Sequence, residues 1–598
     1  MVKKSFFIRI VYFFKPFWKY FIMTGLLLVV IQSFGAITPY LFGKGVDAIT
    51  AGNVRLTFIF LIISFVITIL QQQVFWYLKE YIDVKRLDTN IDKALSLVSL
   101  RRMLQFSIGQ HINEHSGVKQ TIVNKGQNAL TSLVDNFIYI LLQNGIQILV
   151  TLIILAVFDW RLAAVALVFI LIHILVSNKR NKTFFPKIDE VRKKNQAQSK
   201  LGSELYRNST LVIAESQEDK TVADFDTAYS GVTDFTIKVW LKYINAYYGQ
   251  KFTIIIGRYM VLGLGVYFIL MGNHSAGMFV ALFAWTGSIF DNLNQLMNYQ
   301  RSVMFQVVEI KKYFELLDIA PDIDPNIGGK TIPELKGTIE FKNVSFAYPY
   351  RKSAQEIDEE STEEKEQAHT ITDINFSIPA GSKVGFVGVS GSGKTTMVNL
   401  MRRYYDTTSG DILIDGVPLK ELDLHWLRSQ IGNVEQKIDL FDRSVRENIL
   451  FGLPHDAKVP EEKLQKAVTD ASLDEFIEKL KDHGLDTVIG EGGVKVSGGE
   501  RQRIGIARAL IKDPKILIFD EATSALDSIN EKLIHDAINK SAKGRTTIII
   551  AHRLSTVADA DIIFVVKEGK IVDHGTHAVL EKKSKEYQRL IKNQVLMA

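Results

Sequence analysis

The chain has 598 residues, of which 47% are hydrophobic and 23% charged, and its formal net charge is +6. This length exceeds a single domain, and the absence of cysteine excludes disulfides and thiolate metal sites. Lys and Arg cluster beside long apolar runs, so membrane topology explains the positive charge more simply than nucleic acid binding does.

Six apolar runs occupy the first half of the chain. The first, second, third and fifth are close to the ~20 residues that a helix needs to cross a bilayer. The other two are shorter but continue into helix-compatible sequence. The pattern predicts six membrane-spanning helices, at residues 17–41, 56–77, 137–158, 162–176, 252–271 and 278–289.

Positive residues predict the orientation of these helices. They precede the first run and populate the two long segments that follow the second and fourth runs. Because Lys and Arg mark the cytoplasmic side, we expect both termini and both long segments to be cytoplasmic. The residues are Lys3, Lys4, Arg9, Lys15, Lys19, Lys79, Lys85, Arg86, Arg101, Arg102, Lys179, Arg180, Lys182, Arg192, Lys193 and Lys194.

Within the second long segment, residues 187–239 are free of Pro and Gly clusters that would break a helix. This stretch predicts two long helices that meet near residues 215–220. Two interpretations remain open. The pair is either a plain spacer or a lever whose tip touches the soluble domain.

Several polar residues lie at membrane depth, where they are costly and therefore informative. They either pair between helices, or lie beyond the hydrocarbon, or line a water-filled cargo cavity; Arg258 either snorkels or pairs with an acid. The residues are Gln143, Asn144, Gln147, Arg258, Asp291, Asn292, Asn294, Gln295 and Asn298.

The passage into the soluble half begins at residues 303–324, where Pro321 and Pro325 predict the end of a helix. A strand pattern starts at Thr338. Tyr348 follows this strand and offers an aromatic face that an adenine could stack on. Residues 355–367 are acidic and poor in apolar side chains, which is typical of a solvated loop; a regulatory role is the alternative.

The strongest motif in the chain is GVSGSGKT at residues 388–395. It matches G-x-x-x-x-G-K-[ST] and lies between a predicted strand and a predicted helix, as a phosphate-binding loop requires. Its glycines allow backbone N–H groups to surround phosphate oxygens. We expect Lys394 to reach the β- and γ-phosphates of a nucleotide and Thr395 to ligate Mg²⁺.

Further polar residues follow apolar strand-like runs or open a helix. Residues 516–521, ILIFDE, end in Asp520 and Glu521, where one acid can hold Mg²⁺ and its neighbour can deprotonate water. Gln436 and His552 also follow strand-like runs. Ser497, Gly498 and Gly499 open a helix and predict a second anion site, which a head-to-tail dimer would use.

Taken together, these motifs resemble those of ABC transporters, specifically exporter half-transporters with six spans fused to one nucleotide-binding domain. The resemblance implies an α-helical six-span transmembrane domain followed by an α/β P-loop ATPase domain. The expected boundaries are 1–320 for the membrane domain, 321–337 for a linker and 338–598 for the ATPase. ATP and Mg²⁺ are the implied cofactors.

The resemblance also implies roles for individual residues. Glu521 is the general base, with His552 and Gln436 as further catalytic residues, and Thr395, Gln436 and Asp520 hold the metal. Residues 487–493 resemble the exporter X-loop, and residues 524–527 the D-loop. The residues implied to bind ATP are Tyr348, Gly388, Ser390, Gly391, Gly393, Lys394, Thr395, Thr396, Ser497, Gly498, Gly499, Glu500 and Asp527.

Three positions depart from the family pattern. The signature starts with Val496 instead of Leu and ends in Glu500 instead of the commoner Gln, while Glu435 replaces a frequent Pro. We expect the first two to be tolerated because the contacts of Ser497 and Gly499 remain.

The implied function is ATP-driven export of an amphiphilic small molecule, lipid or peptide across a bacterial cytoplasmic membrane. An importer or an ATP-gated regulator on the same scaffold is the alternative. The expected partners are a second half-transporter, membrane lipids and the cargo, with no nucleic acid. Intact motifs favour a homodimer, and a heterodimer remains open.

Overall fold

The computed structural model describes residues 6–112, 116–324, 328–349, 370–454, 456–490, 493, 496–520, 528–551 and 553–595. The chain forms two compact units. One contains residues 1–103 and 119–319, and the other contains residues 104–118 and 320–598. Helices build the described part of the first unit, whereas the second combines helices with two sheets.

Long apolar helices dominate the first unit, and short π-helical turns at Leu70–Phe75, Asp83–Asp88 and Phe137–Leu142 join some of them into longer rods. The α-helices are Phe6–Phe14, Trp18–Thr50, Val54–Ile69, Trp76–Ile82, Thr89–Gln105, Ser116–Asn136, Gln143–Phe158, Trp160–Arg207, Ser209–Ala214, Glu218–Leu270 and Met278–Asp318.

Within the described residues, five helical rods are long and apolar enough to cross a membrane. A sixth span was predicted at residues 278–289, inside Met278–Asp318. It does not reach the same apolar length, because Asp291 and Asn292 interrupt the run. Six spans therefore stay a prediction. The five rods are Ile8–Thr50, Val54–Gln105, Val118–Phe158, Trp160–Arg207 and Glu218–Leu270.

The two longest helices, Trp160–Arg207 and Glu218–Leu270, pack side by side. Gln198 Nε2 donates to Ala228 O at 2.7 Å near one end of the pair. The short helix Ser209–Ala214 connects them. The prediction of two long helices that meet near residues 215–220 is therefore confirmed.

The turn after Glu218–Leu270 is held by two carboxylates from other connections. Asp47 accepts hydrogen bonds from Ser275 Oγ at 2.6 Å and from Gly277 N at 2.8 Å. Asp159 lies 3.1 Å from His274 Nε2 and also accepts from Arg161. These bonds join three of the short loops of the helical unit.

Within the described residues, ten strands form two sheets in the second unit. The six-stranded sheet has the order β10-β9-β3-β8-β7-β6, and the four-stranded antiparallel sheet has the order β2-β1-β4-β5. The strands are β1 Ile339–Phe346, β2 Ile371–Ile378, β3 Lys383–Val387, β4 Ser409–Ile414, β5 Val417–Pro418, β6 Ile431–Val434, β7 Ile516–Asp520, β8 Thr546–Ile550, β9 Ile562–Lys567 and β10 Lys570–Gly575.

Strands β3, β7 and β8 are almost wholly buried apolar runs, as expected for parallel strands covered on both faces. Helices of the second unit accompany these strands. They are Ile108–Ile112, Lys394–Met401, Leu424–Gln430, Val445–Leu450, Glu461–Asp470, Asp474–Lys479, Gly498–Leu510, Ser528–Ala542, His577–Lys583 and Lys585–Val595.

Candidate functional site

The carboxyl ends of the parallel strands bring part of the predicted site, within the described residues, to one edge of the sheet. β8 pairs with β3 on one side and with β7 on the other, and β7 pairs with β6. Because parallel strands end at the same edge, the strand ends at Val387, Asp520 and Val434 lie on the same side of the sheet. Nucleotides bind at this edge in open α/β sheets.

The predicted phosphate loop follows β3 directly and leads into the helix Lys394–Met401. Gly391 and Gly393 have φ values of +79° and +106°, a region that other residues rarely adopt. A Cβ at Gly388 would lie 2.2 Å from Val566 O. The loop therefore requires glycine at these positions, and its fold is that of a phosphate cradle.

The side chain of Lys394 is buried inside this loop, with 4% of its surface exposed. Its Nζ donates to Gly388 O at 2.9 Å and to Val389 O at 3.0 Å. The ammonium group thus lies against the loop backbone, next to the N-terminus of the following helix. This donor set suits the phosphates of a nucleotide, and the exposed hydroxyl of Thr395 suits Mg²⁺.

Tyr348 is tied to the helix that follows the phosphate loop. Its hydroxyl lies 2.9 Å from Oγ1 of the buried Thr396. Its ring meets Phe346 and Tyr405 edge to face, with centroids 4.9 and 5.1 Å away. These contacts fix the tyrosine beside the phosphate loop, where stacking on adenine was predicted.

A segment between the second and third predicted spans belongs to the same compact unit as the ATPase-like sheets. Residues 104–118 cluster with residues 320–598, and the hydroxyl of Tyr405 donates to Gly109 O at 3.3 Å. The ring of Tyr405 also contacts the ring of Tyr348, whose hydroxyl is hydrogen-bonded to Thr396. The sequence analysis missed this contact, because Gly109 sits in a short helix without a motif.

The structure covers only some of the acidic, amide and histidine residues predicted for the site. Asp520 ends β7 and is half-buried, and Gln436 follows β6 and is exposed. Glu521, Asp527 and His552 lie outside the described residues, as do the rest of residues 521–527, residues 491–492 and the acidic segment 355–367. The roles predicted for all of them stay predictions.

The helix Gly498–Leu510 starts at the predicted second anion site. Ser497 caps it, because its Oγ accepts from Glu500 N at 3.3 Å while Glu500 Oε2 accepts from Ser497 N at 2.8 Å. This reciprocal pair is a capping box. It leaves Gly498 and Gly499 at the helix start, and it explains physically why a glutamate fits where glutamine is commoner.

Two bonds attach this helix to its surroundings. Gln502 Nε2 donates to Glu435 O at 3.2 Å, next to Gln436. Arg508 Nε donates to Asn448 O at 2.9 Å. Burial lowers the pKa of Arg508, yet the group keeps several donors engaged. The predicted second anion site therefore lies at the start of a well-anchored helix.

Polar groups of the predicted spans pair between helices. Asn144 Nδ2 donates to Gln295 Oε1 at 3.2 Å, and Gln147 Nε2 donates to Ser288 Oγ at 3.0 Å. Arg258 lies over the ring of Phe283, with its Cζ 5.0 Å from the centroid. Pairing between helices, one of the interpretations left open by the sequence, thus holds for Asn144 and Gln147, whereas Arg258 contacts an aromatic ring. The side chain of Asn298 lies outside the described residues.

Lys79 is another position that sequence reasoning placed differently. It was counted among the positive residues of the first long segment, and its side chain is completely buried and bonded to Asp83 at 2.7 Å. Asp83 is one helical turn away, but Thr24, which donates to Asp83, and Tyr139, whose ring lies beside Lys79, are distant in sequence.

Both units of the chain match known protein families. Residues 21–293 match the family described as "ABC transporter transmembrane region", and residues 371–524 match the family described as "ABC transporter". The second range contains the phosphate loop, the capped helix at Ser497 and the acids after β7. Both matches therefore fall on the regions that carry the features described above.

Individual relatives agree with this placement. An ABC transporter ATP-binding protein of Bacillus subtilis is 42% identical over 334 residues, which cover 55% of this chain and 54% of the relative. An ATP-dependent lipid A-core flippase of Syntrophus aciditrophicus is 32% identical over 480 residues, covering 79% of this chain and 76% of the flippase. The alignment thus spans about half the length of the Bacillus relative.

The fold is also that of a solved structure. A bacterial Atm1-family ABC exporter with ATP bound superposes with a TM-score of 0.80, over 96% of this chain and 98% of the exporter, at 24% sequence identity. This likeness concerns the fold. With helical and ATPase regions matched in one chain, and with relatives aligned across both, the protein belongs to the ABC transporter family.

Proposed function

We propose that this protein is an ATP-driven exporter, or an outward flippase, for an amphiphilic small molecule, lipid or peptide. The observation that carries the proposal is the buried Lys394 inside a glycine-dependent loop, fused in one chain to apolar helices long enough to span a membrane. The flippase and exporter relatives support the direction. An importer or gated regulator is therefore not favoured.

The proposed chemistry is cleavage of the β–γ phosphoanhydride of ATP by water. Lys394 and the loop amides bind the β- and γ-phosphates, and Tyr348 stacks on the adenine. Glu521 accepts a proton as the water oxygen bonds to the γ-phosphorus, and the bond to the ADP oxygen breaks. Mg²⁺, held by Thr395, Gln436 and Asp520, would neutralise phosphate charge.

The second anion site supports a dimer. Ser497, Gly498 and Gly499 begin a helix whose N-terminus attracts phosphate, and a single loop does not require a second such site in its own chain. We infer that each subunit completes the other's ATP site, with Asp527 and His552 beside it. A homodimer is favoured, and mass measurement of the purified complex would distinguish it from a heterodimer.

Transport follows from the mechanical link between the two halves. The proposed arrangement places residues 1–320 in a bacterial cytoplasmic membrane with both termini in the cytoplasm, a linker at 321–337, and the ATPase at 338–598. Closure of two ATPase domains on ATP would move the long helices Trp160–Arg207 and Glu218–Leu270. Cargo would then be released to the outer side.

The test is Glu521→Gln in the full chain. We expect ATP binding to persist while turnover falls by roughly two orders of magnitude or more, the size expected for a lost general base. Glu462→Gln, an exposed position on the helix Glu461–Asp470, serves as the matched control and should keep most of its turnover. Unchanged hydrolysis by the first variant would contradict the assignment.

A further inference from the structure

One cavity in the helical unit has a lining that the ATPase chemistry does not use. It has a volume of about 820 Å³ and lies between the helices Trp160–Arg207 and Met278–Asp318, with Leu141 at its edge. Cavities of this size hold drug-sized ligands. We call it the basic groove, because Lys179 and Lys182 line it.

The basic groove is apolar at one end and positively charged at the other. Leu175 lies in the predicted membrane run 162–176, and Lys179 and Lys182 follow it one and two turns later on the same helix face. Leu296 supplies a second apolar wall. Among the described residues that line the groove, none is acidic.

The two lysines lack the ion pairs that other cations on this helix make. Arg192, Lys193 and Lys194 lie 2.8, 3.6 and 3.9 Å from carboxylates within one turn. Lys179 and Lys182 have no such partner among the described residues and are exposed to the groove. Like charges three residues apart repel, and a bound anion would relieve that repulsion.

A buried hydrogen-bond chain adds a neutral donor to the same wall. Arginine has donors only, and Arg180 Nη2 donates to Asn181 Oδ1 at 3.0 Å. This fixes the amide of Asn181, so its Nδ2 donates to Gln300 Oε1. The amide nitrogen of Gln300, a residue of the groove lining, is therefore available to donate.

Arg180 itself is held in place from the opposite side. Its side chain is buried and lies over the rings of Tyr243 and Tyr247, with Cζ at 5.3 and 5.7 Å from the centroids. The donor chain therefore keeps one direction, from the buried guanidinium toward the groove. Two ammonium groups and one oriented amide all favour a negatively charged ligand.

We propose that the basic groove binds a phosphate- or carboxylate-bearing amphiphile, with the anionic head at Lys179, Lys182 and Gln300 and the chain along Leu175 and Leu296. Resting on the proposed export function, this assignment names a substrate class: anionic amphiphiles. Charge at one end and apolar walls at the other match such a molecule better than a free anion or a neutral lipid.

The test uses the full chain in nanodiscs of neutral phosphatidylcholine, with ADP present to occupy the phosphate loop and radiolabelled n-dodecyl phosphate as the probe. We expect the Lys179→Gln/Lys182→Gln double variant to bind the probe at least about tenfold more weakly, as expected for two lost charged contacts. Gln300→Glu should also weaken binding, because it adds a negative charge.

The matched control is Lys193→Gln/Lys194→Gln, which removes the same charge from the same helix outside the groove. It should bind the probe within about twofold of the unchanged protein. Thermal unfolding without probe checks folding, and the Lys179→Gln/Lys182→Gln variant should be at least as stable as the parent because the repulsion is gone.

Three results would overturn the proposal. The first is that the Lys179→Gln/Lys182→Gln variant binds the probe as tightly as the unchanged protein. The second is that uncharged dodecyl maltoside displaces the probe as well as unlabelled dodecyl phosphate does. The third is that inorganic phosphate does so, which would assign a free anion instead of an amphiphile. None of these measurements requires hydrolysis. Failure here would leave the Glu521→Gln result unaffected, so the two proposals are separable.

Discussion

Lys79 Nζ lies 2.7 Å from the carboxylate of Asp83, and both side chains are completely buried in the helical unit. Thr24 Oγ1 donates to the other carboxylate oxygen at 2.7 Å, and the ring of Tyr139 lies 3.9 Å from the ammonium group. Both charges are thus compensated. Desolvation makes such a pair costly to break but not necessarily costly to replace as a whole.

We therefore predict a strong asymmetry between single and double variants. Lys79→Met leaves an uncompensated buried carboxylate and should lower the free energy of unfolding by about 3–5 kcal/mol. Lys79→Met/Asp83→Leu should recover most of that loss. Thermal unfolding in detergent measures both, with exposed Lys93→Met as the control. A single variant as stable as the parent would contradict this interpretation.

This pair shows why the burial of a charged residue is difficult to predict from the sequence. Lys79 and Lys85 look alike in the chain, because both lie in the mixed polar stretch that follows the apolar run 56–77. The partner Thr24 comes from another helix, 59 residues before Asp83. Long-range packing decides which lysine is buried, and the local i,i+4 pairing of Lys79 with Asp83 does not by itself reveal the burial.

The ATPase elements were predictable for the opposite reason. β3, β7 and β8 are short apolar runs bounded by polar residues, and the loop after β3 needs glycine at fixed positions. Both signals are local, so the strands, the loop and the capped helix at Ser497 were found. The sixth span was less clear, because Asp291 and Asn292 break its apolar run.

The contact between Gly109 and Tyr405 yields a second prediction. A Cβ at position 109 would lie 2.3 Å from Tyr405 Cε1, so Gly109→Ala must displace the ring or the helix Ile108–Ile112. We expect destabilisation of about 1–3 kcal/mol, typical of overpacking. Because the ring also contacts Tyr348, ATP binding should weaken as well, which nucleotide titration would measure.

A double-variant cycle isolates the steric cause. Tyr405→Leu removes the clashing ring, so Gly109→Ala should cost much less in that background than alone. Tyr405→Phe keeps the ring and removes only the 3.3 Å bond to Gly109 O, for about 0.5–1.5 kcal/mol. Additive effects of Gly109→Ala and Tyr405→Leu would argue against a direct contact.

The capping box at Ser497 predicts which substitutions Glu500 tolerates. Gln has a carbonyl oxygen that can accept from Ser497 N as Glu500 does, so Glu500→Gln should change stability and hydrolysis little. Glu500→Ala removes the acceptor and should cost about 1 kcal/mol. Urea unfolding and ATPase rates check both. A Glu500→Gln variant as unstable as Glu500→Ala would refute the capping explanation.

Arg545 and Asp513 clamp the entry to strands β7 and β8 and predict a pH dependence. The hydrogen bond from Arg545 at 2.7 Å lowers the pKa of Asp513 below its usual value. A lowered carboxyl pKa stabilises the fold above the unfolded value of about 3.9, and this stabilisation is lost as the pH falls through the folded value. The difference in stability between the parent and Arg545→Met should therefore be largest near neutral pH.

Below about pH 4 that difference should shrink to a constant remainder. The remainder reflects the bonds from Arg545 to Pro514 O and Ser541 O, both at 3.0 Å, which do not titrate. Asp513→Asn is the control, and in that background the effect of Arg545→Met should be independent of pH. Melting temperatures of the parent and of Arg545→Met between pH 3 and pH 8 measure the difference. Protonation of Asp513 can only weaken its attraction to the guanidinium. A stability difference that grows toward low pH would therefore contradict the assigned sign.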